Sequence, residues 1–456
     1  MDELICISPV DGREYARRPI ATDDAIDHAL AEARRAQREW ARTPLDERCA
    51  TMLRFLAAME AMNPDIVPEI AWQMGRPVRY GGEHRSLAER VLAMVDLAPA
   101  ALAPFAAATG RSVVRAPAGL VLVIAPWNYP FLTAANTIVP ALLAGNAVLL
   151  KHAAQTPLAG ERFAEAFRTA GLPEGLFANL FLSHEQTARL LRSGLVDHAT
   201  FTGSVDGGKA VERAAAGSFT SLTLELGGKD PAYVRDDSDV AAALEGLVDG
   251  SFYNSGQSCC GVERIYVHEA VWQPFLDGFA EAASRYRLGD PLDPETSLGP
   301  MASSKGAASV REQVRQAVEA GAAANLLAQA FPADTGEGPY LMPQVLTWVD
   351  HSMAVMREET FGPVVGIMQV KDDGDAVRLM NDSAYGLTAS IWTGDLEAAE
   401  GLAAEIEAGT VFANRCDYLD PALAWTGVKH SGRGASLGRY GFDSVTRPKS
   451  LHLRSA

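Results

Sequence analysis

The chain has 456 residues and a net charge of −17, with 48% hydrophobic and 21% charged residues. This length predicts two or three structural units, and no basic run indicates nucleic-acid binding. The longest apolar run, 139–150, is too short to span a bilayer. Five scattered cysteines match neither a disulfide framework nor a CxxC metal pattern, and the N-terminus lacks a signal-peptide pattern. Together these features predict a reducing, cytoplasmic location.

The first hundred residues predict a mainly helical layer. A short strand and turn at 5–14 precede apolar residues that recur at helical spacing. The predicted helices are 23–40, 42–62, 65–74 and 86–102. Thr22 or Asp23 is placed to cap the first of them, and a Gly-Arg-Pro run ends the third.

From residue 119 onwards, strands and helices alternate. Near-continuous apolar runs predict buried parallel strands, and helical spacing fills the gaps between them. The predicted strands are 119–125, 146–150, 176–182 and 199–202, and the helices between them are 131–144, 161–170 and 186–192. The alternation continues to about residue 319, which predicts an α/β architecture with a parallel sheet. An alternating strand at 447–454 ends the chain.

Residues 252–260 (FYNSGQSCC) hold the first candidate for chemistry. A reactive cysteine needs partial exposure, a proton acceptor and room for a carbonyl. The turn-prone polar run before Cys259 can present that thiol at the end of an element. A buried cysteine pair is the alternative, because free cysteines are usually buried.

Three further stretches carry related signals: 224–229 (LELGGK), 124–130 (IAPWNYP) and 358–364 (EETFGPV). Together with the cysteine stretch they resemble the aldehyde dehydrogenase superfamily in order and in spacing. Glu225 precedes Cys259 by 34 residues, the separation typical of that family. The resemblance implies a Rossmann-like cofactor domain (1–98 and 118–226), an α/β catalytic domain (227–428) and a small β oligomerisation arm (99–117 and 440–456). It also implies a homodimer or homotetramer.

The resemblance implies oxidation of an aldehyde to a carboxylate. Cys259 attacks the carbonyl, hydride leaves to a nicotinamide, and water hydrolyses the resulting thioester. Glu225 is the candidate base that activates this water, and the Asn128 side chain with the Cys259 backbone N–H would bind the oxyanion. Cys260 is the rival nucleophile, but the Gly-Gln-x-Cys pattern of the family falls on Cys259.

The implied cofactor is NAD or NADP, although the chain has no GxGxxG. Residues 201–208 (FTGSVDGG) follow a predicted strand and open a helix, as a phosphate-binding loop requires. Ala154 stands where the family has a glutamate that repels a 2′-phosphate, so NADP is expected to be used at least as well as NAD. The residues that match cofactor-binding positions of the family are Trp127, Lys151, Ala154, Gly203, Ser204, Gly208, Leu226, Glu359 and Phe361.

The aldehyde itself is left open by the sequence, with a preference for an aliphatic aldehyde or a semialdehyde. Arg415 is a candidate for pairing a substrate carboxylate, whereas Asp417 or Asp420 with Tyr418 and Trp425 would receive an amine. Two alternatives are a CoA-acylating relative and a catalytically silent binding protein of the same fold. The nine histidines show no metal-ligand spacing, so no metal site is predicted.

Overall fold

The computed structural model describes residues 3–454. Its first part contains a β-hairpin, three long helices and two strands of a separate sheet: β1 (Glu3–Ile7), β2 (Glu14–Pro19), α1 (Asp23–Trp40), α2 (Leu45–Met74), α3 (His84–Ala101), β3 (Phe105–Ala108) and β4 (Arg111–Pro117). Helix α1 has the predicted bounds, and the Thr22 side chain caps it by accepting from the Ala25 N–H.

Helix α2 corrects the prediction of two helices at 42–62 and 65–74, because it runs unbroken for 30 residues through Pro64 and Pro68. A proline inside a helix removes one backbone hydrogen bond and normally kinks or breaks it. Met59, Ile66 and Ile70, on both sides of the prolines, are buried in the same apolar core. Their burial holds α2 together across the two prolines.

The next part forms a parallel sheet with helices on its faces. Its elements are β5 (Leu120–Ile124), α4 (Leu132–Leu143), β6 (Ala147–Lys151), α5 (Pro157–Thr169), β7 (Phe177–Asn179), α6 (His184–Ser193), β8 (His198–Thr202), α7 (Val205–Ala215) and β9 (Ser221–Glu225). The strand order is β7-β6-β5-β8-β9, so the winding direction reverses between β5 and β8. Every residue of β5 and β6 is buried, which explains their unbroken apolar sequences.

A second sheet of seven strands follows after only four residues. Its part of the chain contains β10 (Asp230–Val234), α8 (Val240–Phe252), β11 (Val262–His268), α9 (Trp272–Ser284), α10 (Ser304–Glu319), β12 (Ala323–Ala324), β13 (Gln344–Thr347), α11 (Ala354–Arg357), β14 (Val364–Val370), α12 (Asp373–Asn381), β15 (Tyr385–Gly386), β16 (Thr388–Trp392), α13 (Leu396–Ala403) and β17 (Thr410–Ala413). The strand order is β12-β13-β14-β11-β10-β16-β17, parallel except for β12. The predicted α/β class is confirmed.

The last elements return the chain to the first half: β18 (Val428–Lys429), β19 (Gly432–Arg433), α14 (Gly438–Ser444) and β20 (Thr446–His452). Strand β19 pairs antiparallel with β9, and β20 pairs antiparallel with β4 in the order β20-β4-β3. The outer edge of β20 pairs with no strand among residues 3–454. The domain boundaries stay a prediction. Within that range, every helix is too short or too polar to cross a membrane.

Candidate active site

Cys259 lies in a tight loop after α8 that has an unusual backbone. Asn254, Ser255 and Gly256 have φ angles of 53°, 57° and 67°, which form a left-handed turn. For residues other than glycine this conformation costs about 1–2 kcal/mol each. A Cβ on Gly256 would lie 2.2 Å from the Gly362 carbonyl oxygen, so only glycine fits there. Contacts with the rest of the fold must hold this turn.

Hydrogen bonds from the left-handed turn reach a distant segment. The Ser255 hydroxyl donates to the Gly299 carbonyl at 2.8 Å, and the Ala302 N–H donates to Gln257 Oε1 at 2.8 Å. Gln257 Nε2 also donates to the Asn254 carbonyl at 3.1 Å. These bonds fix the backbone on which Cys259 is mounted.

The two adjacent thiols have different surroundings. Both line a cavity of about 370 Å³, but only Cys259 is partly exposed. Cys260 is 2% exposed and donates from Sγ to Asp417 Oδ1 at 3.0 Å, beside a 2.7 Å bond from the Ser258 hydroxyl. A hydrogen bond with Cys259, burial and the nearby Asp417 charge raise the pKa of Cys260 well above its usual range. Cys260 is therefore held as a protonated thiol.

Glu225 ends β9 and lines the same cavity as Cys259. Its Oε2 accepts from the Thr202 hydroxyl at 3.4 Å, and its Oε1 is buried without a partner among the described residues. Burial raises the pKa of Glu225, and the positive charge of Arg90 opposes that rise. A carboxyl with a raised pKa is a better proton acceptor near neutral pH, as a general base requires.

Asn128 connects the Trp-Asn-Tyr turn to the cysteine loop. Its side chain is buried, and Nδ2 donates to the Gln257 carbonyl at 3.1 Å, two residues before Cys259. Its own carbonyl accepts from Arg76 Nη2 and from Asn254 Nδ2. One N–H of the amide is thus engaged, and the second remains for another acceptor.

A buried ion pair supports this region and was missed by the sequence analysis. Arg76 Nη1 lies 2.8 Å from Glu83 Oε1, with the two side chains 2% and 3% exposed. Arg76 Nε donates to Asn254 Oδ1 at 3.1 Å. Glu83 Oε2 accepts from the N–H groups of Phe131 and Leu132, at the start of α4. The pair joins three separate segments around the cysteine loop.

A second cavity of about 150 Å³ lies where the strand order of the first sheet reverses. Dinucleotides bind at such a point in open α/β sheets. Burial lowers the pKa of Lys151, and Ala154 is exposed in the turn between β6 and α5, outside the lining. The mainly apolar walls suit a flat ring such as adenine. The residues that line this cavity include Ile124, Lys151, Ala188, Leu191, Phe201, Gly207 and Val211.

The predicted phosphate loop lies between β8 and α7. Ser204 caps α7 by accepting from the backbone N–H three residues on, at 3.2 Å. The Gly203 N–H donates to the Glu225 carbonyl at 3.0 Å. A Cβ on Gly208 would lie 2.6 Å from the Leu226 side chain, so α7 approaches β9 only because that residue is glycine. The loop, α7 and the strand that ends at Glu225 are therefore packed into one unit.

Three more of the predicted cofactor residues lie near the cysteine loop. The rings of Trp127 and Phe361 meet edge to face, with centroids 5.6 Å apart. Glu359 Oε1 accepts from the Gly228 N–H at 3.3 Å, and burial raises the pKa of Glu359 to about 8. Its placement is compatible with a role in binding a ribose hydroxyl.

The loop that contains Glu359 is held by a buried ion pair that the sequence analysis did not identify. Lys229 Nζ donates to Glu263 and, at 2.9 Å, to the Thr360 hydroxyl. Glu263 accepts from the N–H groups of Thr360 and Phe361, each at 2.9 Å. The nearest signal in the sequence was Lys229 itself, which ends the LELGGK stretch.

The segment 415–425 contributes some, but not all, of the side chains that the sequence analysis predicted to contact the substrate. Arg415 stacks on Tyr418, with the guanidinium carbon 3.3 Å from the ring centroid, and it lines a neighbouring cavity instead. Asp420 is not in the lining of the catalytic cavity either. Asp417 has a φ of 46°, which turns the chain so that neighbouring residues face different sides. The residues of this segment that do line the catalytic cavity are Asp417, Tyr418, Leu419, Pro421 and Trp425.

Comparisons with known proteins agree with this geometry. The model of the aldehyde dehydrogenase family matches residues 2–451. Betaine aldehyde dehydrogenase 2 of Rhizobium meliloti (strain 1021) is 34% identical over 99% of this chain and 94% of its own length. Succinate semialdehyde dehydrogenase [NAD(P)+] of Escherichia coli (strain K12) is 34% identical over 96% of this chain and 95% of its own. The structure of succinic semialdehyde dehydrogenase from Streptococcus pyogenes in complex with NADP+ superposes with a TM-score of 0.94, at 28% identity, covering 99% of this chain and 100% of that one. The chain belongs to the aldehyde dehydrogenase family.

Proposed function

We propose that this protein oxidises an aldehyde to the carboxylate with NAD or NADP as the hydride acceptor. The observation that carries the proposal is the shared cavity of Cys259, a partly exposed thiol, and Glu225, a buried carboxyl. The named relatives act on betaine aldehyde and on succinate semialdehyde, which supports an aldehyde substrate here.

In the proposed reaction, the Cys259 thiolate attacks the aldehyde carbonyl and forms a thiohemiacetal. The second N–H of Asn128 and the Cys259 backbone N–H donate to the developing oxyanion. The bound nicotinamide supplies the hydride acceptor. Oxidation leaves the acyl group on Cys259 as a thioester. Glu225 then takes a proton from water, the hydroxide adds to the thioester, and the carboxylic acid leaves as the thiol is restored.

The finer features of the proposal rest on single observations. Ala154 places no carboxylate beside Lys151, so we expect NADP to be used at least as well as NAD. The unpaired outer edge of β20 offers a pairing surface for a second copy, which supports a homodimer or homotetramer. All five cysteines are free, which supports a reducing, cytoplasmic compartment.

A panel of neutral and charged aldehydes tests the function. Each aldehyde is assayed with NAD and with NADP, in the presence and in the absence of CoA. We expect reduced cofactor and free carboxylate to appear in equal amounts, without a requirement for CoA. Cys259→Ala should abolish turnover, while Cys416→Ala, which removes a free thiol outside the catalytic cavity, serves as the matched control and should keep it. Turnover by Cys259→Ala, or release of product only as a CoA thioester, would contradict the proposal.

A further inference from the structure

The catalytic cavity contains a buried arginine that lacks a charge partner. Arg90, on α3, is 7% exposed and lines the cavity with Cys259 and Glu225. Its Nη1 donates to the Leu132 carbonyl at 3.1 Å and to Asn136 Oδ1 at 2.7 Å. Its Nε and Nη2 donate to no residue between 3 and 454, and no carboxylate in that range lies within 4.0 Å of the guanidinium.

The other two buried arginines in the described chain have different environments. Arg76 uses all three guanidinium nitrogens, on Asn254, Glu83 and the Asn128 carbonyl. Arg264 also uses all three, on backbone carbonyls and one tyrosine hydroxyl. Buried charges are normally paired, because an unpaired one is costly to desolvate. Arg90 is thus the exception, and its two free nitrogens belong to a residue of the cavity wall.

The carboxylates nearest to Arg90 are already engaged. Glu83 forms the ion pair with Arg76 and accepts two N–H groups at the start of α4. Glu225 is the proposed base of the reaction. Burial lowers the pKa of Arg90, although a guanidinium still stays charged at neutral pH. The positive charge therefore remains available for a ligand.

Asn136 adds a second donor beside Arg90. Its Oδ1 accepts from Arg90, so its Nδ2 is a buried donor with no partner in the described chain. Both residues line the catalytic cavity. A planar guanidinium fork together with an amide N–H matches the two oxygens of a carboxylate.

Building on the proposed function, we propose that Arg90, with Asn136, is the specificity-determining site that binds a carboxylate on the substrate. The preferred substrates are then aldehydes with a carboxylate at the far end of a short chain. A preference for a cationic aldehyde would instead require that Asp417 and Asp249, which also line the cavity, bind the positive charge of the substrate. Asp417 already accepts two hydrogen bonds through Oδ1, and Asp249 is exposed to solvent. The Asp249 carboxylate has no hydrogen-bond partner in the described chain, but it belongs to an exposed residue, whereas Arg90 is buried at 7% exposure.

The test compares three aldehydes with one set of variants. Succinate semialdehyde is the anionic probe, butanal the neutral probe of equal chain length, and betaine aldehyde the cationic probe. In Arg90→Met, we expect the ratio of kcat/KM for succinate semialdehyde over butanal to fall about a hundredfold, the loss of a charge-assisted contact. Arg13→Met, in the turn between β1 and β2 with an 86% exposed side chain and outside the cavity lining, makes the same charge change and should alter the ratio less than about twofold.

Asn136→Asp provides a second, nearly isosteric variant. The new carboxylate would pair with Arg90 and compete with the substrate, so we expect the same ratio to fall while the fold is kept. Calorimetric binding of butyrate and of its neutral isostere butyramide to the free enzyme gives a readout without turnover, and only butyrate should lose affinity in either variant.

The two failures are distinguishable. If the wild type oxidises none of the three aldehydes, the proposed function is wrong. If it oxidises aldehydes but prefers betaine aldehyde, or if Arg90→Met lowers kcat/KM for succinate semialdehyde and for butanal equally, only the assignment of Arg90 as the carboxylate site is overturned. An equal loss would mean that Arg90 acts on the reacting groups and not on the far end of the substrate.

Discussion

Arg76→Met should disturb both the stability of the protein and the proposed oxyanion site at Asn128. The substitution keeps an unbranched side chain but leaves the Glu83 carboxylate buried without its cation. Breaking a buried pair on one side costs about 3–5 kcal/mol. With about 2.1 cal/mol/K per residue over 456 residues, the unfolding entropy is about 1 kcal/mol/K, so the expected fall in Tm is about 3–5 °C.

The same substitution removes two bonds that position Asn128 and Asn254. A misplacement of about 1 Å in a reacting group can lower the rate about a hundredfold, and we expect a loss of that order in kcat. Thermal melting and steady-state kinetics on Arg76→Met measure both effects, with the exposed Arg79→Met as the control.

A double variant isolates the ion pair itself. Arg76→Met with Glu83→Gln removes both charges. Its loss in the free energy of unfolding should be smaller than the sum of the losses of the two single variants, by a coupling energy of about 0.5–3 kcal/mol. If Arg76→Met melted within about 1 °C of the wild type and kept its kcat, the pair would have no part in holding the proposed oxyanion site.

Three further substitutions test the roles assigned to single groups. Cys260→Ala should keep most of the activity, because that thiol is buried and protonated; a loss equal to that of Cys259→Ala would point to the wrong nucleophile. Glu225→Gln should show a burst of reduced cofactor and then slow turnover, and it should lose the rise of deacylation with pH that follows from a raised carboxyl pKa in the wild type. An unchanged steady-state rate would place the base elsewhere. Ala154→Glu should shift kcat/KM strongly from NADP to NAD, whereas a wild type already more than about a hundredfold selective for NAD would show that another group reads the 2′ position.

The sequence predicted the α/β class and the contiguous motifs because each of these signals is local. The cysteine stretch, the LELGGK stretch and the turn at Trp127 are short motifs that neighbouring residues in the sequence define. The break in α2 was predicted wrongly for the same reason. Local rules weigh Pro64 and Pro68 but not the core contacts that hold the helix across them.

The ion pairs and the substrate wall could not be predicted in this way. Arg76, Glu83 and Arg90 lie within 15 residues of each other and resemble ordinary solvated charges on and before a helix. Arg90 is buried where α3 packs against α4, and Arg76 and Glu83 are buried where they contact residues 128, 131, 132 and 254. Whether a charged side chain has a partner depends on the tertiary structure. The spacing of residues along the sequence does not predict it.

The left-handed turn before Cys259 also has a consequence for how the protein matures. Its conformation is unfavourable by itself and depends on groups from residues 76, 128, 299 and 302, which are far away along the chain. Contacts between residues so far apart in the sequence form late in folding, after the intervening chain has lost most of its conformational entropy. A nascent or partly folded chain therefore lacks the loop that holds Cys259. The proposed nucleophile takes its place in the catalytic cavity only when both sheets have come together.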